Sequence, residues 1–232
     1  AADVFIKRAK YNGGRATISV WNPKVEAAEE LSASLIGITM NDKNIHLHAG
    51  WLTNGFDPLC YNLQCPGFVQ TNTHTILDSY LEPVSDYGGA QYAIDVAISK
   101  DKNTGNWWVY LQGSAMGYWP KDLSPGLADS AQLVSFSGEI YNSNPGGHHT
   151  STEMGSGHFS SEGFRKASFF RNVEVYDDSF QYVSPGAAGD ITVDYEHPRC
   201  YDAHTVGRKE KLGNWGYYFF YGGPGKSADK CS

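Results

Sequence analysis

Apolar and polar residues alternate in many short runs along the chain, and few of these runs have the period of a helix. In "QYAIDVAISK", Ile94, Val96 and Ile98 alternate with Asp95 and Ala97, which predicts a strand with one buried face. Similar runs are "RATISVW", "LSASLIGITM", "FVQTNTHTIL", "NWWVYLQ", "LVSFSGEIYN" and "YYFFYGG". Clusters of Gly, Asn, Asp and Pro separate them, as is typical of turns. The pattern predicts an all-β protein.

The segments between these runs refine the prediction. Asn103-Thr104-Gly105 in "KDKNTGNWW" predicts a hairpin connection, and "PKDLSPGLADSAQ" is the segment in which we expect a helical turn. No low-complexity linker and no internal repeat divides the 232 residues. We therefore expect a single domain over residues 1–232, built as a jelly-roll-like sandwich of two antiparallel sheets.

Composition and charge exclude some classes of partner. The net charge is −7, and the 18 Lys and Arg residues form no run, so we expect no nucleic-acid partner. No apolar segment is long enough to cross a bilayer, and we expect no membrane association. The amino-terminal "AADVFIKRAK" lacks the apolar centre of a signal peptide, which indicates an already processed form. The oligomeric state stays open.

The four cysteines indicate disulfides and a secreted, extracellular or vacuolar location. Cys60 and Cys65 are close enough in "CYNLQC" to close a small loop, and this spacing does not supply a clustered metal site. Three pairings of four cysteines are possible. We expect Cys60 to pair with Cys65, and Cys200 to pair with Cys231, because the second bridge restrains the carboxy-terminal tail.

The stretch "NIHLHAGW" predicts a strand with a polar side that carries two histidines, His46 and His48. Its apolar side consists of Ile45, Leu47, Ala49 and Trp51. The His-x-His spacing suits a metal, but a third ligand is needed, and sequence brings neither His74 nor His148-His149 to this strand. The simpler interpretation is a pair of surface histidines, and we expect no metal and no other cofactor.

In "LVSFSGEIYN" the same alternation places Ser135, Ser137 and Glu139 on a polar side, opposite Val134 and Phe136. Alone, a carboxylate at the end of a strand is usually a solvated surface group. The adjacent Gly138 predicts a bulge or a close approach of another part of the chain.

Many blocks of the sequence resemble the plant neprosin family, in the order in which they occur there. They include "ATISVWNPKVE", "AGW", "CYNLQCPGFVQT", "TGNWWVYLQ", "MGYWP", "GEIYNS", "HTSTEMGSGHF", "GFRKASFFRN" and "WGYYFFYGGPG". The resemblance covers essentially the whole chain. It implies a secreted plant protein with a β-sandwich domain after a propeptide that is absent here. The activity that it implies is a glutamic peptidase that cuts after proline at acid pH, and it also implies the cysteine pairing given above.

The resemblance assigns a catalytic glutamate to Glu139, in the "GEI" block, and a second one to the residue before "AGW". Here that second position is His48, and the stretch between Trp51 and Cys60 is shorter than in the family pattern. Further residues that we expect to line the cleft are His46, Trp51 and Ser137. Two carboxylates must share one water in this chemistry, so a histidine removes half of the pair.

We therefore expect a pseudoenzyme of the neprosin fold that acts as a binding, storage or defence protein. The alternative is an active acid endopeptidase that cuts after proline with a pair formed by His48 and Glu139. A groove of Tyr, Trp and His side chains suits a peptide or a carbohydrate ligand, since aromatic rings stack on sugars and prolines. A metal-dependent lectin needs more ligands than Asn54 and Asp57 provide.

Overall fold

The computed structural model describes residues 1–40, 45–53, 61–144, 148–205, 212–227 and 231, and it is mostly β. The strands in chain order are β1 (Ala2–Ser19), β2 (Leu31–Met40), β3 (Ile45–Thr53), β4 (Val69–Gln70), β5 (Ala93–Lys100), β6 (Trp107–Leu111), β7 (Ser114–Trp119), β8 (Ala131–Tyr141), β9 (Ser168–Asp177), β10 (Tyr182–Val183), β11 (Asp190–Tyr195), β12 (Asp202–Thr205) and β13 (Phe219–Gly222). Helical structure in the described ranges comprises α1 (Pro185–Ala188) and 3-10 turns at Lys121–Leu123, Pro125–Ala128, Ser160–Glu162 and Gly225–Ser227. All strand pairs are antiparallel.

The long strand β1 belongs to two arrays of strands. Its first part, around Val4, lies between β8 and β11, and its second part, around Ala16, lies between β5 and β9. The register shifts near Tyr11, where the chain changes partners. Gly13 follows with a φ of +148°, and a Cβ on it would lie 2.1 Å from the Ile98 carbonyl oxygen. Glycine is therefore required where β1 bends between the arrays.

The first array has the order β3–β2–β8–β1–β11, and the second has the order β4–β7–β6–β5–β1–β9–β13–β12, with β10 beside β9. Hydrogen bonds join all thirteen strands of the described chain into one sheet. The expectation of two separately bonded sheets is corrected on this point, because β1 is a member of both arrays. A continuous sheet of this size has to curl to bury its apolar face.

The apolar sides of the two arrays meet in one core. Phe136 of β8 contacts Phe170 of β9 edge to face, with ring centroids 6.0 Å apart. The hydroxyls of Ser34 in β2 and Tyr221 in β13 hydrogen-bond at 2.5 Å, and both residues are fully buried. These contacts leave the opposite sides of both arrays to carry polar residues.

The local predictions agree with the structure. Val96 and Ile98 are buried in β5, as their alternation predicts. The segment from Asp101 to Asn106 connects the β5–β6 hairpin, and the predicted helical turn is present as two 3-10 turns between Lys121 and Ala128. Across the described ranges, the structure has no helix that is both long and apolar enough to span a membrane.

One of the two predicted disulfides is confirmed. Cys200 and Cys231 are bonded to each other, which ties the carboxy-terminal tail to the segment before β12. The other predicted bridge includes Cys60, which lies outside the described residues. Asn54 and Asp57 lie outside them as well.

Candidate functional site

The outward side of the first array carries a band of polar side chains, which we call the polar face. It comprises His46 and His48 of β3, Ser135, Ser137 and Glu139 of β8, and Asp3 of β1. Successive side chains of a strand point to opposite sides, so these residues share one side wherever their neighbours are buried in the core. The neighbours Val4, Leu47 and Phe136 are all buried. The structure therefore brings four of the five residues predicted for the catalytic pair and the cleft onto one face.

Trp51 is the exception. It was expected to line the cleft, but it is only 6% exposed, and its indole Nε1 donates a hydrogen bond to the Ser19 carbonyl oxygen at 2.9 Å. It lies three positions from His48, an odd spacing that turns its side chain to the opposite side of β3. Trp51 therefore belongs to the core between the arrays.

His48 lies beside Ser135, with Gly37 of β2 between them. Gly37 is level with both residues in the register of the strands. A Cβ on Gly37 would lie 2.3 Å from Ser135 Oγ and 3.4 Å from His48 Nε2. The glycine thus leaves the space in which the hydroxyl and the imidazole come together.

The environment of His48 favours its neutral form. The ring reaches solvent, but removal of water by the surrounding protein lowers its pKa, and the neighbouring His46 lowers it further. The two imidazole rings are 6.2 Å apart and tilted by 49°. Thr39 Oγ1 lies 3.1 Å from His46 Nδ1 and hydrogen-bonds with it. His48 therefore stays neutral to a lower pH than an ordinary histidine does.

Glu139 is half-buried on the same face, and burial raises the pKa of its carboxyl, while the charge of His46 lowers it. His46 is level with Leu133 in register, six positions along β8 from Glu139. The two residues thus lie at different levels of the polar face.

Gly138 explains how Glu139 is positioned. A Cβ on Gly138 would lie 2.5 Å from the ring of Tyr221 and 2.8 Å from the sulfur of Met154. Both of these side chains are fully buried. The sequence predicted a bulge or a close approach at Gly138, and the structure shows a close approach of side chains from beneath the strand.

Asp3 is a residue of the polar face that the sequence analysis missed. It is level with Ser137 in the register of β1 and β8, two positions from the level of Glu139. Burial raises the pKa of Asp3 to about 6, and the charges of Glu139 and Glu196 raise it too, against a lowering by the Ser137 hydrogen bond and the Ala1 amino group. The available signal was the alternation in "ADVFIK", which places Asp3 opposite the apolar residues of its strand.

Among the described residues, His46 and His48 have no third ligand close enough to complete a metal site. Within the described part of the chain, the one compact grouping of potential ligand atoms is His149 with Cys200 and Cys231. Those two sulfurs are joined in the disulfide and do not ligate as thiolates. His149 itself packs against the rings of His197 and Tyr201.

The polar face combines two carboxyl groups of raised pKa with an imidazole of lowered pKa. Groups whose environments move their pKa values towards one another can exchange protons with a bound ligand in the mildly acidic range. Ser135 and Ser137 lie between them and are buried, and the Ser137 hydroxyl hydrogen-bonds to Asp3. The arrangement suits the binding of a polar, extended ligand.

The chain is similar in fold to two solved peptidases. The chain is similar to SCP-B, a member of the eqolisin family of peptidases solved with the tripeptide Ala-Ile-His, at 10% identity and a TM-score of 0.52. It is also similar to scytalido-glutamic peptidase with a peptide-based transition-state analogue, at 13% identity and a TM-score of 0.51. Each comparison covers 95% of this chain and 96% of the other. The fold is thus a glutamic-peptidase-like fold.

The family is narrower than the fold. The family model named Neprosin matches residues 25–224, which is most of the chain. The chain therefore belongs to the neprosin family, as its blocks of sequence predicted.

Proposed function

We propose that this neprosin-family protein binds peptides on its polar face and has lost the glutamic peptidase mechanism. The observation that carries the proposal is His48, which lies on the polar face where the family pattern has a glutamate. A two-glutamate mechanism needs one protonated and one ionised carboxyl on the same water. An imidazole whose pKa is lowered gives neither at acid pH, because it is a neutral weak base or a cation.

The loss of one member of the pair supports the same proposal. His48 and Glu139 are the two positions at which the family pattern has its catalytic glutamates, and only Glu139 keeps a carboxyl. Removal of one member of a catalytic pair usually abolishes most of the rate. Support for a peptide ligand comes from the two peptidases of the same fold, which hold a tripeptide and a peptide-based analogue.

A second candidate is an acid endopeptidase that cuts after proline. Its first form uses Glu139 with His48, as the alternative from the sequence has it. A specific observation favours another form, in which Asp3 supplies the second carboxyl, because Asp3 is two positions from Glu139 in register while His48 is four. Diagonal neighbours on adjacent strands have Cα atoms about 7–8 Å apart, so their carboxyl groups can approach one water.

The test compares binding and cleavage of one proline-containing fluorogenic peptide from strongly acidic to neutral pH. We expect the unmodified protein to bind the peptide without cutting it, and His48→Glu to cut it at acid pH. His74→Glu is the matched control, because it makes the same change at an exposed histidine of another segment. Binding is followed by fluorescence anisotropy and cleavage by mass spectrometry of the products.

Cleavage by the unmodified protein that Glu139→Gln abolishes would contradict the pseudoenzyme proposal and favour the enzyme. Asp3→Asn and His48→Gln then identify the partner of Glu139, since loss of activity in only one of them names it. Absence of both binding and cleavage in the unmodified protein would contradict the peptide-binding proposal itself.

The remaining parts of the proposal concern architecture and location. A jelly-roll-like sandwich is supported by the shared core of the two arrays, and the Cys200–Cys231 disulfide supports an oxidising compartment of the secretory route. A storage or defence role in plant tissue rests on the family alone. Fractionation of the source tissue, with a blot of oxidised and reduced protein, tests the location.

A further inference from the structure

The outward side of the second array contains a large groove, which we call the tyrosine groove. It has a volume of about 1180 Å³, and its lining includes Arg15, Asp95, Tyr110, Glu174, Tyr176 and Tyr182. None of the six residues of the polar face lines it. The groove lies on the second part of β1, whereas Asp3 lies on the first part. The groove exceeds the size of a usual drug-sized site, which indicates room for a ligand of several units.

Tyrosine rings form the apolar part of the groove. Tyr176 and Tyr182 stack with ring centroids 4.7 Å apart, and the guanidinium of Arg15 lies 3.9 Å above the ring of Tyr182. Tyr110 lies on the neighbouring β6 and is partly exposed. Burial raises the pKa of Tyr110 and Tyr182, so their hydroxyls stay neutral and can both donate and accept hydrogen bonds. The Tyr182 ring is already covered by Tyr176 and Arg15, so the ring that offers flat apolar surface with a polar tip is the partly exposed Tyr110.

Planar polar groups are held in fixed orientations beside these rings. Arg15 Nε donates to Glu174 Oε2 at 2.6 Å, and Thr17 Oγ1 donates to Asp95 Oδ1 at 2.6 Å. Asn172 Nδ2 donates to Thr17 Oγ1 at 3.4 Å. Because several of these bonds link neighbouring strands, the side chains are positioned before any ligand arrives.

The backbone at Asn172 is shaped towards the groove. The register of β1 and β9 shifts between Arg15 and Thr17, and Asn172 lies at this irregularity with a φ of 50°. A left-handed conformation is uncommon for residues other than glycine, and bulges of this kind often re-aim a side chain next to a functional site. Here the bulge places an exposed amide among the polar groups of the groove.

The side chains that line the tyrosine groove favour some classes of ligand over others. One arginine faces the two carboxylates of Asp95 and Glu174, so the formal charge disfavours phosphate groups and acidic glycans. The density of carboxylate, amide and guanidinium groups is too high for a lipid. A proline-rich peptide also docks in aromatic-lined grooves, but proline has no backbone N–H to donate to the two carboxylates of this lining. Stacking surface beside carboxylate, amide and guanidinium groups matches a sugar ring, which has apolar faces and a rim of hydroxyls.

We propose that the tyrosine groove binds a neutral oligosaccharide, with the Tyr110 ring against a sugar face and with Asp95, Asn172 and Glu174 hydrogen-bonding to the sugar hydroxyls. This site is separate from the polar face and does not depend on whether the polar face binds or cuts peptides. The protein is thereby a carbohydrate-binding protein in addition to its function at the polar face.

The experiment titrates the oxidised full chain with neutral hexasaccharides of glucose, xylose and mannose, using calorimetry and amide NMR spectra. We expect at least one of them to bind with a dissociation constant of about 1 mM or tighter. Shifted amide signals should fall on β1 from Arg15 onwards, β5 and β9. Glu139→Gln should leave the affinity unchanged.

Two variants with matched controls locate the site. Asn172→Gly removes the amide and tolerates the positive φ, and its control is Asn62→Gly, since Asn62 has a φ of 52° outside the groove. Tyr110→Ala removes a ring of the groove, and its control is Tyr80→Ala at a side chain that is 97% exposed. We expect each groove variant to weaken binding at least tenfold and each control to bind as the unmodified protein does.

Absence of binding by every neutral hexasaccharide would overturn the proposal. Binding that the two groove variants leave unchanged, or amide shifts confined to the first array, would overturn it as well. A proline-rich peptide or an acidic glycan that binds the groove while the neutral sugars do not would replace it with a different ligand class. The NMR map on the unmodified protein decides the matter even if a variant fails to fold.

Discussion

Asp3 of β1 and Glu139 of β8 face the same side of neighbouring strands, and the charge of Glu139 raises the pKa of Asp3. Burial is the largest cause of the raised pKa of Asp3, and it is also the largest cause of the raised pKa of Glu139. The two carboxyl groups therefore hold protons at a pH where exposed carboxyl groups are ionised. This part of the polar face becomes more negative as the pH rises towards neutrality.

The first prediction concerns stability and pH at Asp3. The pKa of Asp3 rises from 3.8 to about 6 on folding, so its protonated form is favoured in the folded protein. The stability from this group is complete below pH 3.8 and is lost as the pH rises through about 6. Asp3→Asn removes the ionisation and should stabilise the protein at neutral pH, by up to about 3 kcal/mol. Urea unfolding of both proteins at acid and neutral pH measures the difference, which should vanish at acid pH.

Asp101→Asn is the control, because the expected change in stability at neutral pH has the opposite sign. Hydrogen bonds from the backbone and hydroxyl of Thr104 lower the pKa of Asp101, so this carboxylate stabilises the fold above its ordinary pKa and the contribution is lost as the pH falls. We expect Asp101→Asn to destabilise the protein at neutral pH. An Asp3→Asn variant that also loses stability at neutral pH would show that the Asp3 carboxylate is a stabilising ion.

The second prediction concerns Gly138. An alanine there places a methyl group 2.5 Å from the ring of Tyr221, which is fully buried and hydrogen-bonded to Ser34. Because the ring cannot move without breaking that bond, we expect Gly138→Ala to lower the free energy of unfolding by about 1–3 kcal/mol. Chemical denaturation measures the loss.

Gly186→Ala is the matched control, because a Cβ there has no atom within 4 Å and needs no positive φ. We expect no loss of stability in that variant. Equal stability of Gly138→Ala and the unmodified protein would mean that Tyr221 and Met154 can shift away from β8.

The alternation of polar and apolar residues predicted most of the strands. It also predicted the side of its strand on which each candidate site residue lies. It placed His46, His48 and Glu139 on polar sides of their strands, because a period of two is a local property. The register that sets these strands side by side is not a local property. Glu139 is level with Ala33, and His48 with Gly37, and no pattern in either strand specifies that register.

For the same reason, the sequence did not predict features that depend on distant parts of the chain. The role of β1 in both arrays depends on the bend near Tyr11 and on which strands meet each half. Trp51 was placed in the cleft, although its own alternation assigned it to the apolar side of β3. The tyrosine groove draws its lining from segments as far apart as Arg15 and Tyr182, whose proximity only the folded chain reveals.

The third prediction concerns Glu30, whose side chain is fully buried. One carboxylate oxygen accepts hydrogen bonds from the hydroxyls of Thr150 and Thr152, and the other accepts them from the backbone and hydroxyl of Ser143. This network anchors the "HTSTE" block to the start of β2. Glu30→Ala removes the acceptor of the Thr152 hydroxyl and of the Ser143 amide, while Thr150 keeps Glu26 as an acceptor, and it should cost about 3 kcal/mol of stability.

Glu29→Ala is the control for that change, since Glu29 is exposed and adjacent in sequence. Thermal unfolding of the two variants should show a lower midpoint for Glu30→Ala alone. Similar midpoints would mean that water or a rearranged loop satisfies the Thr152 hydroxyl and the Ser143 amide.

The last prediction compares the disulfide between Cys200 and Cys231 with the one that the sequence predicts between Cys60 and Cys65. The bond between Cys200 and Cys231 closes a loop with a sequence separation of 31, whereas the predicted bond between Cys60 and Cys65 closes a loop of five. Restriction of the unfolded chain grows with loop length, so removal of the longer bridge should cost about 4 kcal/mol and removal of the shorter one about 2 kcal/mol. Paired Cys→Ala variants, unfolded in urea under oxidising conditions, measure both.

A larger loss from the Cys60 and Cys65 pair would mean that native contacts of the short loop outweigh the entropy of the unfolded chain. Equal unfolding of the Cys200 and Cys231 variant and the unmodified protein would mean that the tail contributes nothing to the fold, although Cys200 is buried in the core beside β12.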